Sequence, residues 1–195
     1  GIVALVRHFT GGSGNSGQSG GQAADLTIEE QQAQEEKNAE TAEPVSITVS
    51  AAGDCTLGTD EYFNASTSLN AFYDINGAEY FFQNVKQVFD ADDLTIVNME
   101  GTLTEETARQ DKTYAFKGPA EYARILTSGG VEAANLANNH SSDYGEKSYT
   151  DTIEALDAAG ITNFGYDRTA VMDVNGVKVG LVGTYVLADG MRCEG

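Results

Sequence analysis

Residues 94–101 read LTIVNMEG. An apolar run of strand length ends there in a polar cluster, Asn98-Met99-Glu100-Gly101. The arrangement occurs twice more. Ile47-Thr48-Val49-Ser50-Ala51-Ala52 runs into Gly53-Asp54, and Val131-Glu132-Ala133-Ala134-Asn135-Leu136-Ala137 runs into Asn138-Asn139-His140. Short apolar runs bounded by turn residues read as strands. In a sheet of parallel strands all three clusters emerge along one edge, at the carboxyl ends. Open α/β sheets place their ligands there.

The segments between the runs read as helices. Phe81, Phe82, Val85, Val88 and Phe89 fall on one face of a helix over 78–90, an aromatic stripe that suits core packing. Pro119 suits the first turn of a helix ending at Ser128, where Gly129-Gly130 stops it. A third helix, 146–159, turns Tyr149, Ile153, Leu156 and Ala159 inward and is capped by Gly160. A short strand, 161–165, follows. Asn175-Gly176 between two β-runs predicts a hairpin. The strands are thus expected at 46–53, 94–98, 131–137 and 161–165. The β-α-β-α-β-α-β order predicts an α/β fold with a largely parallel sheet and helices on its faces.

The N-terminal part reads differently. Residues 11–22, GGSGNSGQSGGQ, form a flexible Gly/Ser linker. Residues 23–44 are acidic and poor in large apolar side chains, a composition that does not pack stably. Ile2-Val3-Ala4-Leu5-Val6 is too short to span a bilayer, which takes ~20 residues. It reads either as the remnant of a membrane anchor or signal segment, or as a tag-like end. Residues 1–44 are therefore expected as anchor remnant and stalk, with the folded domain over 45–195. That layout suits a membrane-anchored protein at the extracytoplasmic face.

The 195 residues carry 30 Asp+Glu against 11 Lys+Arg, a formal net charge of −19. Such a surface repels nucleic acid and anionic lipid at long range, so no nucleic-acid partner is expected. Only Cys55 and Cys193 are present, which excludes a disulfide framework. Cys55 has no basic neighbour to activate a thiolate and reads as a buried filler.

Asp54 and Glu100 supply hard oxygen ligands, and one of them could bridge two ions. Asn139 offers a side-chain oxygen. His140 offers a ring nitrogen or a proton. Two metal ions ~4 Å apart would bind a phosphoryl oxygen and lower the pKa of a bound water. His140 beside them would act as general acid to the leaving group. Gly53 and Gly101 would let the backbone turn sharply near the ions. Each residue also has a plainer reading. Asp54 could cap a turn, Glu100 could be solvated, and Asn138-Asn139 could be turn residues. Asp143 reads first as the start of the following helix, with a hydrogen bond to His140 as the alternative.

The clusters and their surroundings resemble the bacterial capsule-synthesis CapA family of poly-γ-glutamate capsule biosynthesis. The matching stretches are GDCTLG at 53–58, VNMEGTLT at 97–104, YAFKGPAEY at 114–122, NLANNHSSDYG at 135–145 and DTIEALDAAGI at 151–161. That family looks like a divergent branch of the calcineurin-like metallophosphoesterases. The resemblance implies a metallophosphoesterase-like layered β-sheet, a sandwich flanked by helices, of which this chain is the N-terminal half. It makes Asp54, Glu100, Asn139 and His140 metal ligands and His140 also catalytic. The implied cofactors are divalent ions (Mn, Zn, Fe or Mg), two in the full-length protein. Thr56 stands where the phosphoesterases place a histidine two residues after the aspartate. Further histidine ligands are expected beyond Gly195.

The resemblance implies a component of poly-γ-glutamate capsule synthesis or export. Its partners would be an anionic polymer or phosphoester substrate and membrane subunits of a capsule synthase. The alternatives are a metal-dependent phosphoesterase acting on a cell-envelope substrate and a metal-dependent module that binds anionic polymer. Lys112, Lys117 and Arg124 could assist binding of a polyanion, though each reads first as an ordinary surface charge.

Overall fold

A computed structural model describes the backbone of residues 2–7, 45–187 and 190–192, and the side chains of residues 45–185. The Gly/Ser linker and the acidic stretch lie outside the described residues. The strands are β1 (Ile2–Arg7), β2 (Val49–Thr56), β3 (Leu94–Glu100), β4 (Thr102–Leu103), β5 (Lys117–Gly118), β6 (Ala133–Asn135), β7 (Thr162–Phe164), β8 (Ala170–Val174), β9 (Val177–Gly183), β10 (Tyr185–Leu187) and β11 (Gly190–Arg192). The helices are α1 (Leu69–Asn76), α2 (Lys86–Phe89), α3 (Ala123–Gly129) and α4 (Glu146–Ala158).

Strands β2, β3, β6 and β7 form a parallel sheet in that order. Sheet order follows chain order, so right-handed crossovers all fall on one face. The helices cover that face. Val97, Met99 and Ala134 of the sheet pack there with Ile125, Leu126 and Leu156 of α3 and α4. The other face meets a second, antiparallel sheet ordered β1-β9-β8. Between the two sheets lie Leu94, Ile96, Ala133 and Phe164 on one side and Val177, Val179 and Leu181 on the other. Because strand side chains alternate, β3 gives Leu94 and Ile96 to one core and Val97 and Met99 to the other. Apart from Thr95 its run is apolar for that reason, as expected of a parallel strand covered on both faces. The result is the layered α/β sandwich the sequence implies.

Several elements differ from expectation. Strand β2 runs to Thr56, because a register shift between Ala52 and Asp54 carries the pairing past Gly53. Asp54 therefore sits on the strand. The helix expected over 78–90 is broken into a 3-10 turn, Ala78–Tyr80, and the short α2. Val85, at φ −117° and ψ −13°, leaves α-helical geometry and interrupts the ladder. Phe81, Phe82 and Phe89 still pack on the core, whereas Val85 and Val88 are exposed. Helix α1 lies where the sequence reads as a loop. Ser68 caps it, its hydroxyl accepting from Ala71 N at 3.2 Å.

Other signals behave as expected. Gly130 ends α3 in the left-handed conformation. Asn175 and Gly176 both take positive φ in the β8–β9 hairpin, as a type I′ turn requires. Residues 2–7, read from sequence as an anchor remnant or a tag, pair antiparallel with β9. Among the described residues no helix is long and apolar enough to cross a membrane.

Candidate functional site

The carboxyl ends of β2 and β3 lie side by side, Asp54 opposite Asn98 and Thr56 opposite Glu100. The Asn98 side-chain Oδ1 accepts from Asn135 Nδ2 at 2.8 Å and from Asn138 Nδ2 at 3.2 Å. A carboxamide so used can only donate from its other end. It does, to Asp54 Oδ1 at 2.6 Å. Beside it, the Thr56 hydroxyl donates to Glu100 Oε2. Sequence order alone does not reveal these pairings, because they depend on the shift at Gly53.

The turn after β6 is built around Asn138. Its Oδ1 accepts from His140 N at 2.9 Å, and its Nδ2 donates to the Met99 carbonyl at 2.8 Å. The Asn138 carbonyl accepts from Ser141 Oγ at 2.6 Å and from the Tyr166 hydroxyl at 2.7 Å. Asn138 thereby ties its own turn to β3 and to the segment after β7, and the His140 backbone is fixed against the end of β3.

The His140 ring is held from behind. Its Nδ1 lies 2.8 Å from Asp143 Oδ2, which also accepts from Phe116 N at 2.6 Å. Asp143 Oδ1 accepts from Lys112 Nζ at 2.6 Å. The Phe116 ring packs 4.7 Å from the imidazole, centre to centre. Gly101 makes room for Phe116. It takes a φ of +84°, and a Cβ there would lie 2.9 Å from Phe116 Cβ. Gly53 has no comparable constraint, since a Cβ there would meet nothing. An ionised Asp143 can only accept, which assigns the hydrogen to Nδ1 and leaves Nε2, 3.7 Å from Glu100 Oε1, as the free nitrogen. Asp143 is thus His140's partner and no part of the helix, which begins at Glu146 with Gly145 as cap.

Of the four residues read as ligands, Glu100 and His140 are neighbours. Asp54 and Asn139 line one cavity of about 460 Å³ with Asn98 and Asn138 between them. Asn139 is exposed, and its backbone carbonyl accepts from Lys112 Nζ at 2.7 Å. Among the described residues no three His, Cys, Asp or Glu side chains are disposed to hold an ion. Asp54 and Glu100 already accept hydrogen bonds from Asn98 and Thr56. The donors present therefore do not by themselves form a closed metal site. Cys55 contributes no thiolate, because burial and then the Asp54 charge push its thiol up to about 11.

A model of the bacterial capsule synthesis protein family PGA_cap matches residues 48–191. This chain belongs to that family. Capsule biosynthesis protein CapA of Bacillus anthracis is 29% identical over 118 residues, covering 55% of this chain and 29% of the relative. PGA biosynthesis protein CapA of Bacillus subtilis strain 168 is 29% identical over 117 residues, covering 55% and 31%. The match thus spans less than a third of either relative. The PGA_cap region takes in every residue of the strand-end edge, from Asp54 to Tyr166.

Sequence reasoning missed Asn98 and Asn138 as organisers, although both stand inside the quoted clusters. Their neighbours in the clusters, Glu100 and His140, drew the chemical reading. Lys112 and Lys117 read as surface charges, yet both are engaged. Lys117 donates to the Glu106 carbonyl and lies 4.7 Å over the Tyr144 ring.

Proposed function

We propose that this chain takes part in capsule biosynthesis and carries part of a phosphoester-processing site at the strand-end edge. The family match supports the first clause. The observation that carries the second is the Asp143–His140 pair, which aims a free imidazole nitrogen at Glu100 along the edge where Asp54 and Asn139 also stand. Asp143 holds the ring and its tautomer, so Nε2 is the atom that would take or give a proton. Lys112 balances the Asp143 charge. Asn138 fixes the His140 backbone.

Divalent ions (Mn, Zn, Fe or Mg) belong to this reading, with Asp54, Glu100, Asn139 and His140 as the groups that would contact them. The donor set is incomplete as it stands, so no step is assigned to a metal. Membrane anchoring and an extracytoplasmic position are part of the proposal on sequence order alone, as are membrane subunits of a synthase as partners.

This reading takes a phosphoester of the cell envelope as substrate. Lys112 and Lys117 are both bound internally, so the charge of a phosphoester or of an anionic polymer would be met by the metal ions. The second reading is a module that holds polymer carboxylates through metal ions. The test is hydrolysis of an aryl phosphate by full-length protein with each of the four metals, comparing wild type with His140→Ala and Asp54→Ala. Metal-dependent turnover lost in both variants is expected. No turnover with any metal, alongside metal-dependent binding of a γ-glutamyl polymer, would replace this reading with the module.

A further inference from the structure

Two cavities meet at the Asn138–Asn139 turn. One is the 460 Å³ space beside Asp54 and Asn98. The other, about 280 Å³, lies beyond the turn and is walled by Gln110, Ser142 and Tyr166. Asn138, Asn139 and Tyr185 line both, so the two cavities are neighbours across that turn.

Charge limits what the second cavity can take. Its one cation, Lys112, is bound to Asp143 and to the Asn139 carbonyl. Asp111 at the rim is exposed and makes no ion pair among the described residues. Arg109, the next cation along the loop, is paired with buried Asp60. Asp54 and Glu100 add negative charge on the far side of the turn. The cavity lining holds no free cation to offset the cost of an anionic unit entering here.

The cavity offers neutral hydrogen-bonding groups instead. The side chains of Gln110, Asn139 and Ser142 make no hydrogen bond among the described residues, and the rings of Tyr166 and Tyr185 flank them. Amides and hydroxyls that both donate and accept, set beside aromatic surface, match a ring bearing several hydroxyl groups. The volume sits near the low end of ligand pockets, ~300 Å³, which suits one ring better than an oligomer.

Tyr166 adds an independent observation. Its φ is +55°, a conformation a bulky side chain rarely adopts. The strain is held in place by Tyr166 N donating to the Gly183 carbonyl at 3.1 Å and by the phenol on Asn138. Strained residues kept at a cavity wall point to a binding role.

We infer that the cavity between Gln110 and Tyr185 is a subsite for one uncharged glycosyl unit. It lies next to the Asp54–His140 edge, so the unit would be the alcohol part of the phosphoester. Only that last placement rests on the proposed function; the binding itself does not.

The test is amide NMR of the chain titrated with methyl α-D-glucopyranoside, with N-acetylglucosamine and, separately, with a γ-glutamyl tetrapeptide. A saccharide should give saturable shifts confined to Asn139, Ser142, Tyr166 and Tyr185, with the same midpoint at low and physiological salt. The double variant Gln110→Ala, Ser142→Ala should weaken binding roughly tenfold, the loss expected for two neutral hydrogen bonds. Shifts at these amides with the peptide and not with either saccharide would overturn the inference, as would no saturable shift with any saccharide. Saccharide binding without phosphoester turnover in the full-length protein would sink the proposed function and leave the subsite standing.

Discussion

Asp143 Oδ2 lies 2.8 Å from His140 Nδ1 while wholly buried itself, and Lys112 closes the pair from the other side. A buried carboxylate survives only with its charge and lone pairs satisfied. Here Lys112, His140 and the Phe116 amide do so. Asp143→Asn would leave Lys112 facing an amide and free the ring to rotate. Fully buried pairs lose ~3–5 kcal/mol when one partner goes, and the partial exposure of Lys112 argues for about 2–3 kcal/mol. Urea unfolding measures this. In the full-length protein the same change should lower any His140-dependent turnover by ~10–100-fold, the usual effect of losing a residue that orients a site group. A variant as stable and active as wild type would show that Asp143 is dispensable to the ring.

The Asp60–Arg109 pair makes a prediction about acid. Asp60 is buried, accepting from Ala115 N at 2.7 Å, Tyr62 N at 2.9 Å and Arg109 at 2.8 Å. Burial alone would raise its pKa. The amide of Ala115 and the guanidinium of Arg109 outweigh it and hold the carboxyl below the ordinary value. A depressed folded pKa contributes stability above the unfolded value, ~3.9, and loses it as pH falls through the folded one. Stability should therefore fall as pH drops below ~4. Asp60→Asn should be less stable at neutral pH and flatten that part of the profile. An unchanged slope between wild type and variant would remove Asp60 from the account.

How much of this was legible depends on whether the information is local. The runs at 94–97 and 131–137 named two strands because apolar strands between turn residues need no distant partner to be recognised. Asn175-Gly176 and Gly129-Gly130 acted through their own backbone angles. The loop partners of His140 were not local. Phe116 and Lys112 reach it from 24 and 28 residues away in sequence, and only folding shows that the 104–116 segment returns to the edge. The broken helix at 78–90 was hidden because Phe81, Phe82 and Phe89 bury themselves without a continuous helix. The shift at Gly53 was hidden because a one-residue bulge leaves no mark in an apolar pattern. It nevertheless decides that Asp54 stands opposite Asn98 and Thr56 opposite Glu100.

Cys55 tests the burial of β2. Its thiol is raised to about 11 by burial and the nearby Asp54 charge. Since the thiolate is the reactive form, alkylation of the folded chain at pH 8 should be far slower than in urea. Peptide mass mapping with iodoacetamide separates Cys55 from Cys193. Equal rates for Cys55 in folded and unfolded protein would mean the strand opens readily.

Thr56 offers a gain-of-function test of the metal reading. Its hydroxyl is bound to Glu100, and its Cα is the register partner of that residue. The described donors fall short of an ion site because only Glu100 and His140 approach each other, at 3.7 Å. A histidine at 56 would place a second imidazole beside Glu100, giving two nitrogens and one carboxylate of the kind that hold catalytic zinc. Wild-type chain should bind Mn²⁺ or Zn²⁺ weakly by calorimetry. Thr56→His should strengthen Zn²⁺ binding at least roughly tenfold, and the gain should vanish in Thr56→His, His140→Ala. Release of protons on binding should accompany it, because imidazole binds metal in its neutral form. Should Thr56→His bind no better than wild type while remaining folded, the edge is not a metal-binding edge, and the His140–Asp143 pair must serve a metal-free role.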